Sequence, residues 1–205
     1  MSEPAAATSI LRPAVTLYFI RHGETDWNRE SRYQGQRDIP LNDAGRAQAK
    51  RNGQALRAIS DQIAHVDFVA SPLVRAVETM RIVRAELGLD PDGFRTDPEL
   101  RELHYGHWEG QLASDLAVSD SKGVNDKARD PYRWRPRGGE SYADLQHRVS
   151  RWIASVDRDA VVVSHGGVSR VARGAVLGVD PRQTPFLDAP QDRIMILTAG
   201  GADWL

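Results

Sequence analysis

The chain contains no cysteine among its 205 residues, and this absence limits the chemistry that it can perform. Disulfides, thiolate metal sites and phosphatases that use a cysteine nucleophile are all excluded. The absence is also typical of proteins of the reducing cytoplasm, which is where we expect this protein to act.

Long apolar runs and a large charge imbalance are lacking too. No apolar run approaches the roughly 20 residues that a helix needs to span a bilayer. The formal net charge is −1, which gives no overall attraction to nucleic acid or to an anionic surface. We therefore expect neither nucleic acid nor a membrane among the partners of this protein.

The start of the chain, residues 1–13, shows no secretory pattern. It is rich in alanine, serine and proline, and it lacks the basic start and apolar core of a signal peptide. We interpret residues 1–13 as a disordered lead-in. The remainder, residues 14–205, is long enough for one sizeable hydrophobic core and predicts a single domain.

Apolar runs alternate along the chain with segments of helical periodicity. Strands are predicted at 15–20, 66–70, 160–163 and 194–197, with a less regular extended segment at 94–103. Helices are predicted at 42–59, 72–88, 141–156 and 166–177. This alternation predicts a three-layer α/β sandwich, with a mostly parallel sheet and helices on both faces. Ligands bind such sheets beyond the carboxyl ends of the strands.

Two of the predicted buried strands end in a histidine followed by glycine. The first delivers Arg21, His22 and Gly23, and the second delivers His165 and Gly166. An arginine offers a planar fork of donors to phosphate oxygens, and a neutral imidazole can attack phosphorus. An isolated histidine in a turn more often makes a structural hydrogen bond, but two at matching strand ends favour a functional site.

Two further residues could complete a phosphate site, although the residue pattern alone leaves both open. Arg75 is predicted on the first turn of a helix, where it lies either in solvent or near the same anion. Glu102 is one of several carboxylates in the extended segment, and the pattern does not favour it over Glu99.

Five linked motifs then occur in order over about residues 15–199. They are Arg21-His22-Gly23-Glu24-Thr25 with Asn28; Gln34-Gly35; Ser71-Pro72 with Arg75 and Thr79; Leu100-Arg101-Glu102 with Gly106 and Trp108-Glu109-Gly110; and Ser164-His165-Gly166-Gly167. Together they resemble the histidine phosphatase superfamily, the phosphoglycerate-mutase-like group. A lone Arg-His-Gly is a weak signal, whereas five ordered motifs are specific.

The resemblance implies a phosphomonoester hydrolase that works through a phosphohistidine intermediate. Five residues would carry the chemistry: the nucleophile His22, the phosphoryl-binding Arg21, Arg75 and His165, and the proton donor Glu102. Four more would line the substrate pocket: Asn28, Gln34, Gly35 and Gly166. The mechanism that the resemblance implies needs no metal or other cofactor, and the implied partner is a small phosphorylated metabolite.

The resemblance covers mutases as well as phosphatases, and the sequence favours hydrolysis. The chain is shorter than the cofactor-dependent mutases and carries Leu103 where those enzymes typically have arginine. Trp108-Glu109-Gly110 and the segment 136–141 resemble the phosphatase branch, whereas His104 and Tyr105 are similar to the mutases. A phosphoglycerate mutase is the alternative. A non-catalytic phospho-ligand-binding module is a weaker one, because the proposed catalytic residues are all present.

The segment at about 107–140 lacks a sustained period, and we interpret it as a specificity insertion that folds over the site. Its basic residues predict either a solvated loop or steering of an anionic substrate. Trp134 either stacks on a ligand or packs against the body of the domain. His104 and His107 are spaced for a metal pair without a clear third ligand, so we expect no metal site.

Overall fold

A six-stranded sheet runs through the centre of the computed structural model, which describes residues 9–59 and 61–205. Its strands are β1 (Leu17–Arg21), β2 (Asp67–Ala70), β3 (Arg95–Thr96), β4 (Ala160–Ser164), β5 (Ile194–Thr198) and β6 (Gly201–Trp204). Their order across the sheet is β3-β2-β4-β1-β5-β6. The first four strands along the chain are mutually parallel, β5 is antiparallel to β1, and β6 is antiparallel to β5.

Helices cover both faces of this sheet. Within the described residues they are α1 (Asp26–Arg29), α2 (Asp43–Ile59), α3 (Val74–Glu86), α4 (Ala113–Ser119), α5 (Ser121–Arg129), α6 (Tyr142–Ser155) and α7 (Gly166–Leu177). The predicted three-layer α/β sandwich is confirmed. No helix in the described part of the chain is both long enough and apolar enough to cross a membrane.

Side-chain alternation in the central strands divides the core into two clusters. Phe19 and Val162 face α6 and α7, whereas Ile20 and Val163 face α2 and α3. Successive side chains of a strand point to opposite faces, so a strand covered on both faces needs apolar residues at every position. This is why β1 and β4 appear in the sequence as continuous apolar runs.

The prediction that residues 1–13 form a disordered lead-in is wrong for residues 9–13, the part of this segment that the structure describes. Residues 1–8 lie outside the described residues, but Leu11 is buried in the cluster under α6 and α7 and is 1% exposed. The Ser9 hydroxyl donates a hydrogen bond to the Val176 carbonyl at 3.2 Å. Disorder was predicted from the overall composition of the segment, and composition does not show that one leucine in it packs into the core.

The insertion at 107–140 contains helices α4 and α5, so the prediction of a solvated loop is wrong for the residues of α5, whereas residues 130–141 lie outside any helix or strand. Each of these helices spans no more than 9 residues, which is too short for a clear helical period in the sequence. Trp108 is buried, and its ring centroid lies 4.3 Å from that of Trp134. Trp134 therefore packs against the body of the domain.

Replacing Leu11 by alanine tests whether this segment belongs to the core. We expect Leu11→Ala to lower the free energy of unfolding in urea by about 2–4 kcal/mol, because it leaves a cavity in a packed cluster. Val118→Ala, at a position on α4 that is 88% exposed, is the control and changes stability by less than about 0.5 kcal/mol. Equal stabilities of the two variants would contradict the assignment.

Candidate active site

A cleft of about 160 Å³ opens beyond the carboxyl ends of β1 and β4. The residues that line it are Arg21, His22, Asn28, Arg32, Tyr33, Gln34, Gly35, Arg75, Glu102, Tyr105, Gly166, Gly167 and Arg170. Eight of the nine predicted site residues are in this set. The ninth, His165, is completely buried, and its ring lies against that of His22.

The pairing of β1 with β4 brings the two histidines together. The parallel register places Arg21 opposite Ser164, so His22 and His165 both follow paired residues. The His22 amide also donates to the Ser164 carbonyl at 2.8 Å, which extends the ladder to the histidine itself. The two ring centroids are 5.1 Å apart and the ring planes are inclined by 61°.

The backbone fixes the tautomer of His22. Its Nδ1 lies 2.7 Å from the Gly23 carbonyl oxygen, which can only accept, so Nδ1 carries the proton and Nε2 keeps a lone pair. Burial, reinforced by the Arg75 and Arg21 guanidinium groups, holds the pKa of His22 well below its usual range. The imidazole is therefore neutral at neutral pH, as a nucleophile must be.

His165 combines one engaged ring nitrogen with one that is not engaged. Its Nε2 lies 2.7 Å from the Ser71 hydroxyl, whereas its buried Nδ1 has no hydrogen-bond partner in the described part of the chain. Burial, then the positive charge of Arg75, holds the pKa of His165 well below its usual range. Both imidazoles of the site are thus kept neutral by the same low-dielectric, cationic surroundings.

Arg75 is a buried cation that neutral carbonyl oxygens orient. Its Nη1 and Nη2 donate to the carbonyls of Arg37 and Gly35, both at 2.7 Å, and its Nε donates to His22 Nε2 at 3.2 Å. Burial lowers the pKa of Arg75 to about 10, so it stays charged at neutral pH. A buried guanidinium group whose hydrogen bonds all go to neutral groups favours the arrival of an anion.

Arg21 follows the same pattern on the other side of the histidines. Its Nη1 donates to the Ala189 carbonyl at 2.7 Å, and its buried Nε has no partner among the described residues. Burial lowers the pKa of Arg21. Arg21 and Arg75 thus place two guanidinium groups around the His22 ring, in the fork geometry that phosphate oxygens accept.

Glu102 is fixed at the cleft by two backbone amides. One carboxylate oxygen accepts from the Leu103 amide at 2.8 Å, and the other accepts from the Gly167 amide at 3.2 Å. A Cβ on Gly167 would lie 2.5 Å from Glu102 Oε1, so glycine lets the start of α7 approach the carboxylate. The structure thereby distinguishes Glu102 from Glu99, whose carboxylate pairs with Arg151 at 3.2 Å on the surface.

The predicted pocket residues present polar groups to the same cleft. Asn28 Oδ1 accepts from the Thr25 amide and from Gln191 Nε2, both at 3.2 Å, which leaves its amide hydrogens for other acceptors. Gln34 is 7% exposed, and its Oε1 is buried without a partner among the described residues. Their roles toward a substrate remain predictions.

Arg170 is the main cleft residue that was not predicted. Its Nε donates to the Leu187 carbonyl at 2.6 Å. The Arg170 and Arg21 side chains both lie next to Gly166, since a Cβ at that glycine would be 3.4 Å from Arg170 Nη1 and 3.4 Å from Arg21 Cζ. Its place four residues after Gly166, one turn into a helix that begins at the site, is the signal that could have found it.

Glu109 organises the wall behind Arg75. Its side chain is only 5% exposed, and Oε1 accepts from the backbone amides of Gln36 at 2.9 Å and Tyr105 at 3.1 Å. Gly35 has φ 54°, and a Cβ there would clash with this carboxylate. Glu109 therefore joins the turn whose carbonyls orient Arg75 to the segment that follows Glu102.

Helix α5 of the insertion is anchored to the cleft wall through one lysine. Lys127 Nζ donates to the Tyr33 hydroxyl at 2.8 Å and lies 4.8 Å from the centroid of the Tyr33 ring. It also lies 5.5 Å from the Trp108 ring and 6.0 Å from the Trp134 ring. Cation–π attraction to these rings holds the ammonium in place, so the insertion contacts a residue that lines the cleft.

The histidine pair that was spaced for a metal has other partners. His104 Nδ1 accepts from the Gly106 amide at 3.0 Å, and His107 Nε2 lies 3.1 Å from an Asp120 oxygen. In the described ranges, no group of three or more histidine, aspartate or glutamate side chains is placed to hold a metal ion.

Comparisons with known proteins agree with the geometry. The profile of the histidine phosphatase superfamily (branch 1) matches residues 17–205. Glucosyl-3-phosphoglycerate phosphatase of Mycolicibacterium vanbaalenii is 32% identical over 196 residues, which are 90% of this chain and 84% of that protein. Phosphoglycerate mutase-like protein 4 of Arabidopsis thaliana is 38% identical over 162 residues, which are 75% of this chain and 67% of the Arabidopsis protein.

A solved structure extends the comparison to the fold. The structure of a mycobacterial glucosyl-3-phosphoglycerate phosphatase in complex with VO3 has a TM-score of 0.76 and 32% identity. The alignment covers 93% of this chain and 96% of that one. The family resemblance drawn from the five motifs is confirmed.

The buried histidines make the stability of the protein depend on pH. An unfolded histidine titrates near pH 6.5, so below that pH the unfolded chain binds more protons than the folded chain, where the pKa of His165 is lowered. Stability present above pH 6.5 is therefore lost as pH falls, at about 1.4 kcal/mol per pH unit for each such histidine. We expect His165→Asn to reduce the slope of unfolding free energy between pH 6.5 and 5 by about this amount.

The matched control for this measurement is His147→Asn, because His147 is exposed on α6. Urea unfolding at several pH values gives the slopes, which are independent of any constant loss of stability that a substitution causes. Identical slopes for His165→Asn and the unsubstituted protein would show that His165 titrates normally in the folded state.

Proposed function

The chain belongs to the histidine phosphatase superfamily, and on that premise we propose that it hydrolyses phosphomonoesters through a phosphohistidine formed on His22. The observation that carries the proposal is the fixed tautomer of His22, whose Nδ1 proton is bound to the Gly23 carbonyl at 2.7 Å. A neutral Nε2 faces a cleft with the guanidinium groups of Arg21 and Arg75. The similarity to enzymes named as phosphatases over most of the chain supports it.

In the first step, His22 Nε2 attacks phosphorus, and the N–P bond forms as the bond from phosphorus to the leaving oxygen breaks. Arg75 Nε lies 3.2 Å from that nitrogen, so it is placed to bind an oxygen of the arriving phosphoryl group. Arg21 and the free Nδ1 of His165 would bind the other oxygens. Such preorganised donors stabilise the charge spread over the phosphoryl oxygens in the transition state.

Glu102 moves the proton in both steps. Its carboxyl group donates a proton to the leaving oxygen, which departs as an alcohol, and the resulting carboxylate is held by the Leu103 and Gly167 amides. Water then attacks phosphohistidine and passes a proton to Glu102. Inorganic phosphate leaves, and His22 Nε2 regains its lone pair. No metal or other cofactor takes part in the proposed steps.

We propose a small phosphorylated metabolite as the substrate. The volume of the cleft, about 160 Å³, supports this proposal, and so does the similarity of the chain to phosphatases named for glucosyl-3-phosphoglycerate. The catalytic domain would comprise residues 14–205 together with the buried Leu11, and the 107–140 insertion would set specificity. We also place the reaction in the cytoplasm, since the chain has no cysteine that an oxidising compartment could pair.

A phosphoglycerate mutase is the second candidate, and the mutase-like relative from Arabidopsis thaliana is the observation in its favour. A mutase must keep water away from phosphohistidine and return the phosphoryl group to a hydroxyl. Incubation with 3-phosphoglycerate separates the two functions: we expect inorganic phosphate in solution, and conversion to 2-phosphoglycerate without phosphate release would favour the mutase.

Replacing the nucleophile is the direct test of the mechanism. We expect His22→Ala to lower kcat/KM for p-nitrophenyl phosphate by about 10³-fold or more, because no other group can form the covalent intermediate. His147→Ala, at an exposed position on α6, is the control and should leave kcat/KM unchanged. Full activity of His22→Ala would overturn the assignment.

The role of Glu102 predicts a dependence on the leaving group. Nitrophenolate departs without a proton, whereas an alkoxide needs one, so Glu102→Gln should reduce kcat/KM for ethyl phosphate by about 10²-fold or more and for p-nitrophenyl phosphate far less. Glu99→Gln, which changes the surface carboxylate nearby, is the matched control. Equal losses on both esters would show that Glu102 does not donate a proton to the leaving oxygen.

A further inference from the structure

A second recess lies beside the catalytic cleft and has a different chemical character. This groove has a volume of about 400 Å³ and is lined by apolar side chains of the insertion, among them Leu116, Val124, Ala128 and Pro131. Tyr33 and Phe186 also contribute to its walls. We refer to this recess as the apolar groove.

The apolar groove and the catalytic cleft share a wall. Tyr33 lines both, and Lys127, which also lines the groove, donates to the Tyr33 hydroxyl at 2.8 Å. Phe186 is followed directly by Leu187, whose carbonyl accepts from Arg170 Nε of the cleft at 2.6 Å. The groove therefore adjoins the cleft across Tyr33, and its lining comes from the insertion, from Tyr33 and from Phe186 of the segment that follows α7.

The lining of the groove is mostly apolar and carries almost no charge that a ligand could pair with. Lys127 is the only charged residue among those that line it in the described part of the chain, and its ammonium is directed to the Tyr33 hydroxyl and the surrounding aromatic rings. Phe186 is 70% exposed at the groove. Covering an exposed phenylalanine ring with an apolar ligand removes apolar surface from water and lowers the free energy of the complex, so the groove favours an apolar occupant.

We propose that the apolar groove binds the leaving group of the substrate, so that the preferred substrates are phosphomonoesters of alcohols with an apolar chain or ring. The inference rests on the proposed phosphatase activity and specifies its substrate class. The cleft holds the phosphoryl group through charge, and the groove holds the alcohol through contact. Phe186 and the apolar residues of α4 and α5 become the specificity-determining residues.

A series of straight-chain alkyl phosphates tests this proposal, because the leaving alcohols from ethyl to hexyl differ little in acidity. We expect kcat/KM to rise by about two- to fourfold per added methylene until the groove is filled. Propyl phosphate should exceed glycerol 1-phosphate, which has the same chain length and two additional hydroxyl groups. A series that is flat from ethyl to hexyl, with measurable hydrolysis, would overturn the subsite and leave the phosphatase activity intact.

Phe186→Ala shows whether the preference arises in this groove. It should lower the ratio of the hexyl to the ethyl rate by about threefold or more, because the longer chain loses more contact with the ring. Val118→Ala removes another exposed apolar side chain from the insertion, outside the groove lining, and should leave the ratio unchanged. An unchanged ratio in Phe186→Ala would contradict the assignment.

Binding of alkylphosphonates separates this inference from the proposed activity, since these analogues have no bond for the enzyme to hydrolyse. Titration calorimetry with ethyl-, butyl- and hexylphosphonate should show affinity rising with chain length in the unsubstituted protein and less steeply in Phe186→Ala. If the chain-length effect is present but no ester is hydrolysed, the catalytic proposal fails and the groove stands. If phosphonate affinity does not change with length, the groove proposal fails.

Discussion

The parallel pairing of β1 with β4 is the contact on which the site depends. One register places Arg21 opposite Ser164, and the residues that follow are the two histidines whose ring centroids are 5.1 Å apart. A slip of one residue would turn every side chain of β1 to the other face of the sheet, so the apolar residues of both core clusters fix this register. Packing in the core therefore sets the distance between the two imidazoles that lie just beyond the carboxyl ends of β1 and β4.

Burial then determines the charge state of those groups. It lowers the pKa of both histidines and, less strongly, of Arg75 and Arg21, so the imidazoles are neutral while the guanidinium groups keep their charge. The arginines are oriented by backbone carbonyls, and the turn that supplies two of these carbonyls is held by the buried Glu109. The neutral imidazole of His22 and the cationic surroundings of this ring are thus both set by burial.

Features with a local signature could be predicted from the sequence, and features that depend on distant packing could not. His22 and His165 follow apolar runs and precede glycines, so strand ends predicted their meeting, whereas Glu102 needed the family resemblance because nothing local separates it from Glu99. The β6 strand, the burial of Leu11 and the short helices of the insertion were missed. Leu11 packs against residues far away in the chain, β6 is a four-residue strand that pairs with the preceding β5, and such short segments carry little periodicity of their own.

The way in which the cleft arginines are held has a consequence for the proposed catalytic cycle. The hydrogen bonds of Arg21 and Arg75 go to neutral carbonyl oxygens and to His22, so neither guanidinium group is paired at hydrogen-bond distance with a carboxylate of the described residues. Once the alcohol has left, the released phosphate faces the same donors that held the ester. In the proposed cycle, free phosphate therefore competes with the ester for these donors, and the rate of turnover falls as the local concentration of phosphate rises.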